Sequence, residues 1–167
     1  MRSRRLWGAA LAVSLLPDAD VLGFSFGVRY EDFLGHRGFF HSPFFSLVLS
    51  SACLLVLFRD LRPLTKRWWE YLTFLFLLGS SHGLLDALTD GGLGIALLAP
   101  FNNRRFFFPW TPIPVAPIGL SASFSEWGIA VILWEATHIL APACAVLAAV
   151  KLLRHKEGRR LDGDSHT

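Results

Sequence analysis

The chain has 167 residues, enough for one domain, of which 53% are hydrophobic, 14% aromatic and 17% charged. Soluble domains carry about 25% charged residues, so this composition, with a mean hydropathy of +0.44, points to a membrane protein. The net charge of +3, from 16 basic and 13 acidic residues, gives no support to nucleic-acid binding.

In chain order, the basic start MRSRR leads into a short apolar stretch, Leu6–Leu16. It is too short to cross a bilayer core of roughly 30 Å, which needs about 20 helical residues, and reads as a half-helix completed by protein contacts. Read instead as a signal peptide, the same stretch would offer Ala12 and Ser14 as small cleavage-site residues; its apolar core is short for that, and the membrane reading is preferred. Pro43–Phe58 is a marginal span unless extended back over His41 and Ser42, while Trp68–Leu88 is of full length. The region Thr89–Ser125 is neither span nor polar loop. Its GGLGIALLAPF is too short to cross and either re-enters or lies in the interface. Its PWTPIPVAP cannot be helical, because proline removes a backbone donor and restricts the residue before it. Non-helical backbone at membrane depth must be covered by protein or line a wet cavity, so this segment is a candidate lid. Trp127–Leu153 is a second full-length span, interrupted at Pro142. The buried-looking Cys53 and Cys144 read as packing residues.

The expected fold is therefore all-α, a polytopic membrane helix bundle with about four transmembrane segments and a re-entrant or interfacial Pro-rich loop. Residues 1–153 form the membrane domain and residues 154–167 a polar basic tail in which His155 and His166 are solvated. Twelve of the sixteen basic residues fall at the N-terminus, in the loop RDLRPLTKR and at the C-terminus from Lys151 on, all on one side if four segments cross. The positive-inside rule then places both termini in the cytoplasm, and Trp68, Trp69, Trp110 and Trp127 suit interfacial anchors.

Three polar clusters fall on the opposite side in this arrangement. LPDADVLG carries Asp18 and Asp20; HRGFFHS carries His36 and His41; SSHGLLDALTD carries His82 and Asp86, one helical turn apart, with Asp90 beyond. Imidazole and carboxylate suit zinc and related divalent ions, and about three such ligands with one position for water make a catalytic site. The six residues Asp18, Asp20, His36, His41, His82 and Asp86 are enough for one ion or two. Each cluster alone has a plainer reading, as a helix cap or as headgroup-facing residues; their convergence at a membrane edge, where ionisable groups are costly, argues for function. Arg37, Arg104 and Arg105, with Asp90, are the expected substrate-facing set, since guanidinium forks match phosphate; NNRR as a loop anchor is the alternative. Glu135 and His138, inside the last span, are expected to form a buried polar pair.

The ordered series LPDADVL, HRGFFHS, HGLLDALTDGG and LLAPFNNRRFFFPWTPIPVAPIG resembles the YdjM family of bacterial membrane-bound proteins, from about Leu15 to Gly119 and more loosely over the final span. The resemblance implies a metal-dependent hydrolase distantly similar to zinc-dependent phospholipase C and P1-type nucleases. It implies Asp20, His41, His82 and Asp86 as the principal metal ligands, Asp18 and His36 as supplementary ones, and Asp20 and His41 in catalysis. Members commonly carry a Thr-His element before the first helix, which this sequence does not show, and a threonine where Phe40 stands. The expected function is hydrolysis of a phosphoester, with a lipid as the favoured substrate, by water activated on zinc or manganese, in the bacterial inner membrane. A metal or proton transporter and a non-catalytic membrane factor with a structural metal are the alternatives.

Overall fold

The structure is a computed structural model; it describes residues 2–164, with only the backbone described for residues 2, 3, 120 and 155–164. His166 and the side chain of His155 lie outside the described residues. The regular secondary structure is helical, with two isolated β-bridges and no strand among the described residues. It divides into two units, residues 1–115 and 116–167.

The first unit is built on three helices. α1 spans Arg2–Leu15 and is followed by a 3₁₀ helix, Pro17–Phe26, bent from it by 48°. Pro17 has no N–H with which to continue α1, and Gly27, at φ 82°, ends the 3₁₀ segment in a left-handed turn. α2 covers Pro43–Leu57; Ser42 caps it by accepting from Phe45 N at 3.1 Å, and Pro43 occupies the first turn. α3 covers Lys66–Asp86 and is capped by Thr65. The three pack on one another around Ala9, Val13, Cys53, Leu54, Leu72 and Leu75. Small residues let them approach: Ser46, Ser50, Ser80 and Gly79 are buried at the contact.

The outer faces carry large apolar side chains exposed along all three helices, among them Trp7, Leu11, Leu55, Val56, Phe74 and Leu77. An apolar exterior around a core sealed by small residues is the pattern of helices packed in lipid. The polarity runs end to end. Arg5 pairs with Asp60 at 3.0 Å, setting the basic start of α1 beside the α2–α3 loop. The acidic and histidine clusters lie at the other end, where α1 and α3 finish and α2 begins.

The second unit holds the short helix α4 (Leu120–Ser123) and a long helical run. That run consists of α5 (Glu126–Glu135), a π turn (Ala136–Leu140) and α6 (Ala141–Asp164). Pro142 explains the π turn. It offers no N–H to the carbonyl of His138 and its ring crowds that carbonyl, so the preceding turn widens. The helix continues instead of breaking. Glu135 and His138, expected as a buried pair, are both exposed. His138 Nδ1 lies 2.9 Å from Trp134 O and 2.8 Å from Thr137 Oγ1, so its ring is tied to its own helix.

The expected span count is met only in part. Glu126–Arg154, 29 residues, is long and apolar enough to cross a membrane by itself, and α1 with the 3₁₀ helix qualifies as one bent pair. α2 has 15 residues, about 22 Å at 1.5 Å per residue. α3 reaches about 31 Å over its 21 residues, but Lys66, Arg67, Glu70, His82 and Asp86 lower its apolar content. The region between α3 and α4 is non-helical, stitched by the bridges Thr89–Ile113 and Ile95–Phe106.

Gly79 sets the closeness of α2 and α3: a Cβ there would stand 3.0 Å from Ser46 Oγ and 3.5 Å from Val13 Cβ. Gly79→Leu should therefore loosen the bundle by about 1–3 kcal/mol, the usual cost of overpacking, and lower the thermal midpoint of the detergent-purified protein. Gly79→Ala should change it much less. Equal midpoints for Gly79→Leu and wild type would refute this packing.

Candidate metal centre

His41 stands in a single 3₁₀ turn, Phe39–His41, immediately before α2, with its side chain fully buried. Its backbone lies directly against α3 because position 83 is glycine: a Cβ on Gly83 would come within 2.2 Å of His41 O. This contact brings the start of α2 to the last turn of α3, where His82 and Asp86 share a face. Gly83 was not singled out from the sequence, although a glycine directly after a candidate ligand histidine is a usable signal.

Both ring nitrogens of His41 face carboxylates. Nδ1 is 3.1 Å from Asp20 Oδ2, and Nε2 is 3.2 Å from Asp18 Oδ1 and 3.4 Å from Asp86 Oδ2. His82 Nε2 lies 3.3 Å from Asp18 Oδ1 and 3.5 Å from Asp86 Oδ2. The other oxygen of Asp20 meets His36 Nδ1 at 2.8 Å. The 3₁₀ rise of about 2.0 Å per residue spaces Asp18 and Asp20 so that they bracket the ring. Asp20 is wholly buried and Asp18 half exposed. The structure thus brings together all six expected residues, but in two groups. His41, His82 and Asp86 form one group of donors within 4.8 Å of one another and Asp18, His36 and His41 a second, with His41 common to both; Asp20 stands at its Nδ1.

The separations have a specific meaning. A tetrahedron with bonds of about 2.0–2.1 Å, the usual zinc–ligand lengths, has edges of about 3.3–3.4 Å. The four contacts among His41 Nε2, His82 Nε2, Asp18 Oδ1 and Asp86 Oδ2 are 3.2–3.5 Å. His82 Nε2 and Asp86 Oδ2 are, in addition, buried with no hydrogen-bond partner. Buried polar atoms are nearly always satisfied, and these two are aimed at the same point. The donor set fits a divalent ion.

The arginines have other partners. Arg37, at φ 62° and 5% exposed, donates from Nη2 to Asp86 Oδ1 at 3.1 Å and from Nη1 to Thr89 Oγ1 and Gly91 O at 2.8 and 2.9 Å. A left-handed non-glycine residue costs about 1–3 kcal/mol; the bond from Ala96 N to Arg37 O, 3.1 Å, and the guanidinium contacts hold it there. Arg37 leaves Asp86 Oδ2 alone to face the two imidazoles. Arg105 donates to the carbonyls of His36 and Tyr30 at 2.8 Å and of Asp32 at 3.2 Å, clamping the histidine loop. Asp90 Oδ1 accepts from Val115 N, pinning the Pro-rich segment. Of the four residues expected to face substrate, only Arg104 is an exposed cation; its backbone N–H bonds Asn102 Oδ1.

The charges are mutually dependent. Burial opposes ionisation of His41, but its hydrogen bonds to Asp18 and Asp20 and the charges of Asp20 and Asp86 outweigh that, and its imidazole is pushed up to about 9. Burial alone would raise Asp20, yet the hydrogen bonds from His36 and His41 hold it below the usual carboxylate range; Asp18 is lowered by His41 and His82 in the same way. In protein stripped of metal, His41 should titrate near 9 by NMR. Its contribution to stability should be complete below the ordinary imidazole value of 6.5 and lost as pH rises through about 9. A His41 titrating near 6.5 would show that the carboxylates do not grip the ring.

A profile of the family described as YdjM inner membrane protein matches residues 2–158. Among curated proteins, the inner membrane protein YbcI of Escherichia coli (strain K12) is 41% identical over 143 residues, which cover 86% of this chain and 81% of the relative. No solved structure matches.

Proposed function

Since the chain belongs to the YdjM inner membrane protein family, we propose that it is a membrane-embedded, metal-dependent hydrolase that cleaves a phosphoester at the non-cytoplasmic face. The observation that carries this is the convergence of three donors, His41 Nε2, His82 Nε2 and Asp86 Oδ2, which leaves a position for water, with Asp18 Oδ1 3.2 and 3.3 Å from the two imidazole nitrogens. His41, His82 and Asp86 would hold the ion, and Asp18, the most exposed of the four, stands beside them. Zinc suits this donor set, and manganese is the second candidate. When bound, such an ion lowers the pKa of water toward about 7 and polarises a phosphoryl oxygen.

The chain's own residues prepare that chemistry. The Asp20 carboxylate stands 3.1 Å from His41 Nδ1 and so favours the tautomer that would present Nε2 to the ion, as carboxylates behind metal-bound histidines do. His36 holds the other oxygen of Asp20 in place. Arg37 donates to Oδ1 of Asp86 and so would leave Oδ2 for the ion. We place the three packed helices and the long helix of the second unit as four crossings, with both termini cytoplasmic. The inner-membrane location and apolar exterior favour a lipid substrate over a soluble one.

A transport path has no support in the bundle beneath the centre. There, among the described residues, the core is Val13, Cys53, Leu54, Leu72 and Leu75, and the buried polar groups are the hydroxyls of Ser46, Ser50 and Ser80.

Purified protein should hold about one equivalent of zinc or manganese per chain, lost in His41→Ala and in His82→Ala. Asp20→Asn should keep the fold but weaken metal affinity about 10- to 100-fold. Metal-loaded wild type should release a phosphorylated product from a phospholipid panel, and chelation should abolish it. Absence of bound metal after reconstitution with either ion would remove the basis of the proposal.

A further inference from the structure

A groove of about 420 Å³ opens beside the centre, lined by Leu16, Ala19, Gly23, Leu34, Phe40 and Phe45 together with Asp20. Its size is within the roughly 300–1,000 Å³ of small-ligand sites. Its chemistry is one-sided. Asp20 is the only polar side chain in the lining, and its two oxygens are turned to His36 and His41. A polar ligand would lose its water there without gaining partners, at a cost of several kcal/mol per group. The occupant must be apolar.

We infer that the groove holds an acyl chain of the membrane lipid whose headgroup lies at the metal centre. This rests on the reading above and gives it a substrate class: a lipid recognised by its chain as well as by its phosphate. Adjacent residues carry the argument. Asp18 lines the centre and Ala19 lines the groove, so one molecule with a polar head and an apolar tail spans both. The carboxylate of Asp20 is the partition between them. The rim is continuous with lipid-facing surface, because Leu16 and Leu34 are about half exposed and lie close in sequence to the exposed Leu15, Leu22 and Phe33. A chain therefore enters from the bilayer without crossing water. The inner membrane of a protein in this family supplies such chains at high local concentration.

The test uses the full chain in vesicles of phosphatidylethanolamine and phosphatidylglycerol doped with a phospholipid bearing a photoactivatable diazirine on its acyl chain. Adducts are mapped by mass spectrometry and metal content is measured in parallel. Wild type should concentrate adducts on Leu34, Phe40 and Phe45. Ala19→Trp and Leu34→Trp each fill the groove from an exposed position. They should lower adducts on Phe40 and Phe45 at least about tenfold, the change that losing the burial of two methylene groups would produce, while metal content stays at the wild-type level. Adducts spread evenly over the exposed faces of α1, α2 and α3, or undiminished in both variants, would overturn the inference. Groove adducts that respond to the variants in a protein holding no metal would uphold the lipid site and remove the metal reading instead.

Discussion

The grip of two carboxylates on one buried imidazole organises the polar end of this protein. Asp18 and Asp20, two residues apart on a 3₁₀ helix, take opposite nitrogens of His41. A ring buried on all sides cannot rotate away from both, so Nε2 is committed to the point where His82 and Asp86 also aim. Remove that grip and three segments lose their common reference: the turn after α1, the entry to α2 and the last turn of α3. Gly83 is the matching steric condition, since the backbone of His41 can reach α3 only where no Cβ intervenes.

The concentration of charge at that end follows from the surroundings of the rest. Along the bundle the exterior is apolar and the interior is made of small and aliphatic residues, so no ionisable group can be placed there cheaply. At the end of the helices, loop backbone supplies what water would otherwise provide. Arg105 takes the carbonyls of Tyr30, Asp32 and His36, and Arg37 takes the carbonyl of Gly91 and the hydroxyl of Thr89. The two arginines neutralise a site rich in carboxylates and shape its loops at once. Beside it, an apolar groove and a polar centre share a single wall.

Much of this was legible in the sequence because the signals were coarse. Helical runs, their basic flanks and six ligand-type side chains at the ends of apolar segments need only period and position. The resemblance of the ordered motifs agreed with the family the chain belongs to. What stayed hidden depended on backbone that composition does not encode. Asp18 and Asp20 look equivalent in PDAD; only a 3₁₀ conformation, unusual over ten residues, puts one at Nε2 of His41 and the other at Nδ1. Arg37 and Arg105 read as phosphate ligands because carbonyl acceptors in loops leave no trace in side-chain identity. Pro142 reads as a break because the π turn that absorbs it is made by its neighbours' backbone. The span count is less legible for a similar reason: α2 is 15 residues long, and a short apolar helix does not declare whether it crosses.

X-ray absorption at the metal edge of the purified, reconstituted protein tests the central claim most directly. The account predicts a shell of four or five nitrogen and oxygen neighbours at about 2.0–2.2 Å, with the outer scattering of two imidazoles, and the loss of that shell in His82→Ala. A shell without imidazole scattering, or one unchanged by His82→Ala, would contradict the claim that His41, His82 and Asp86 form a single metal centre.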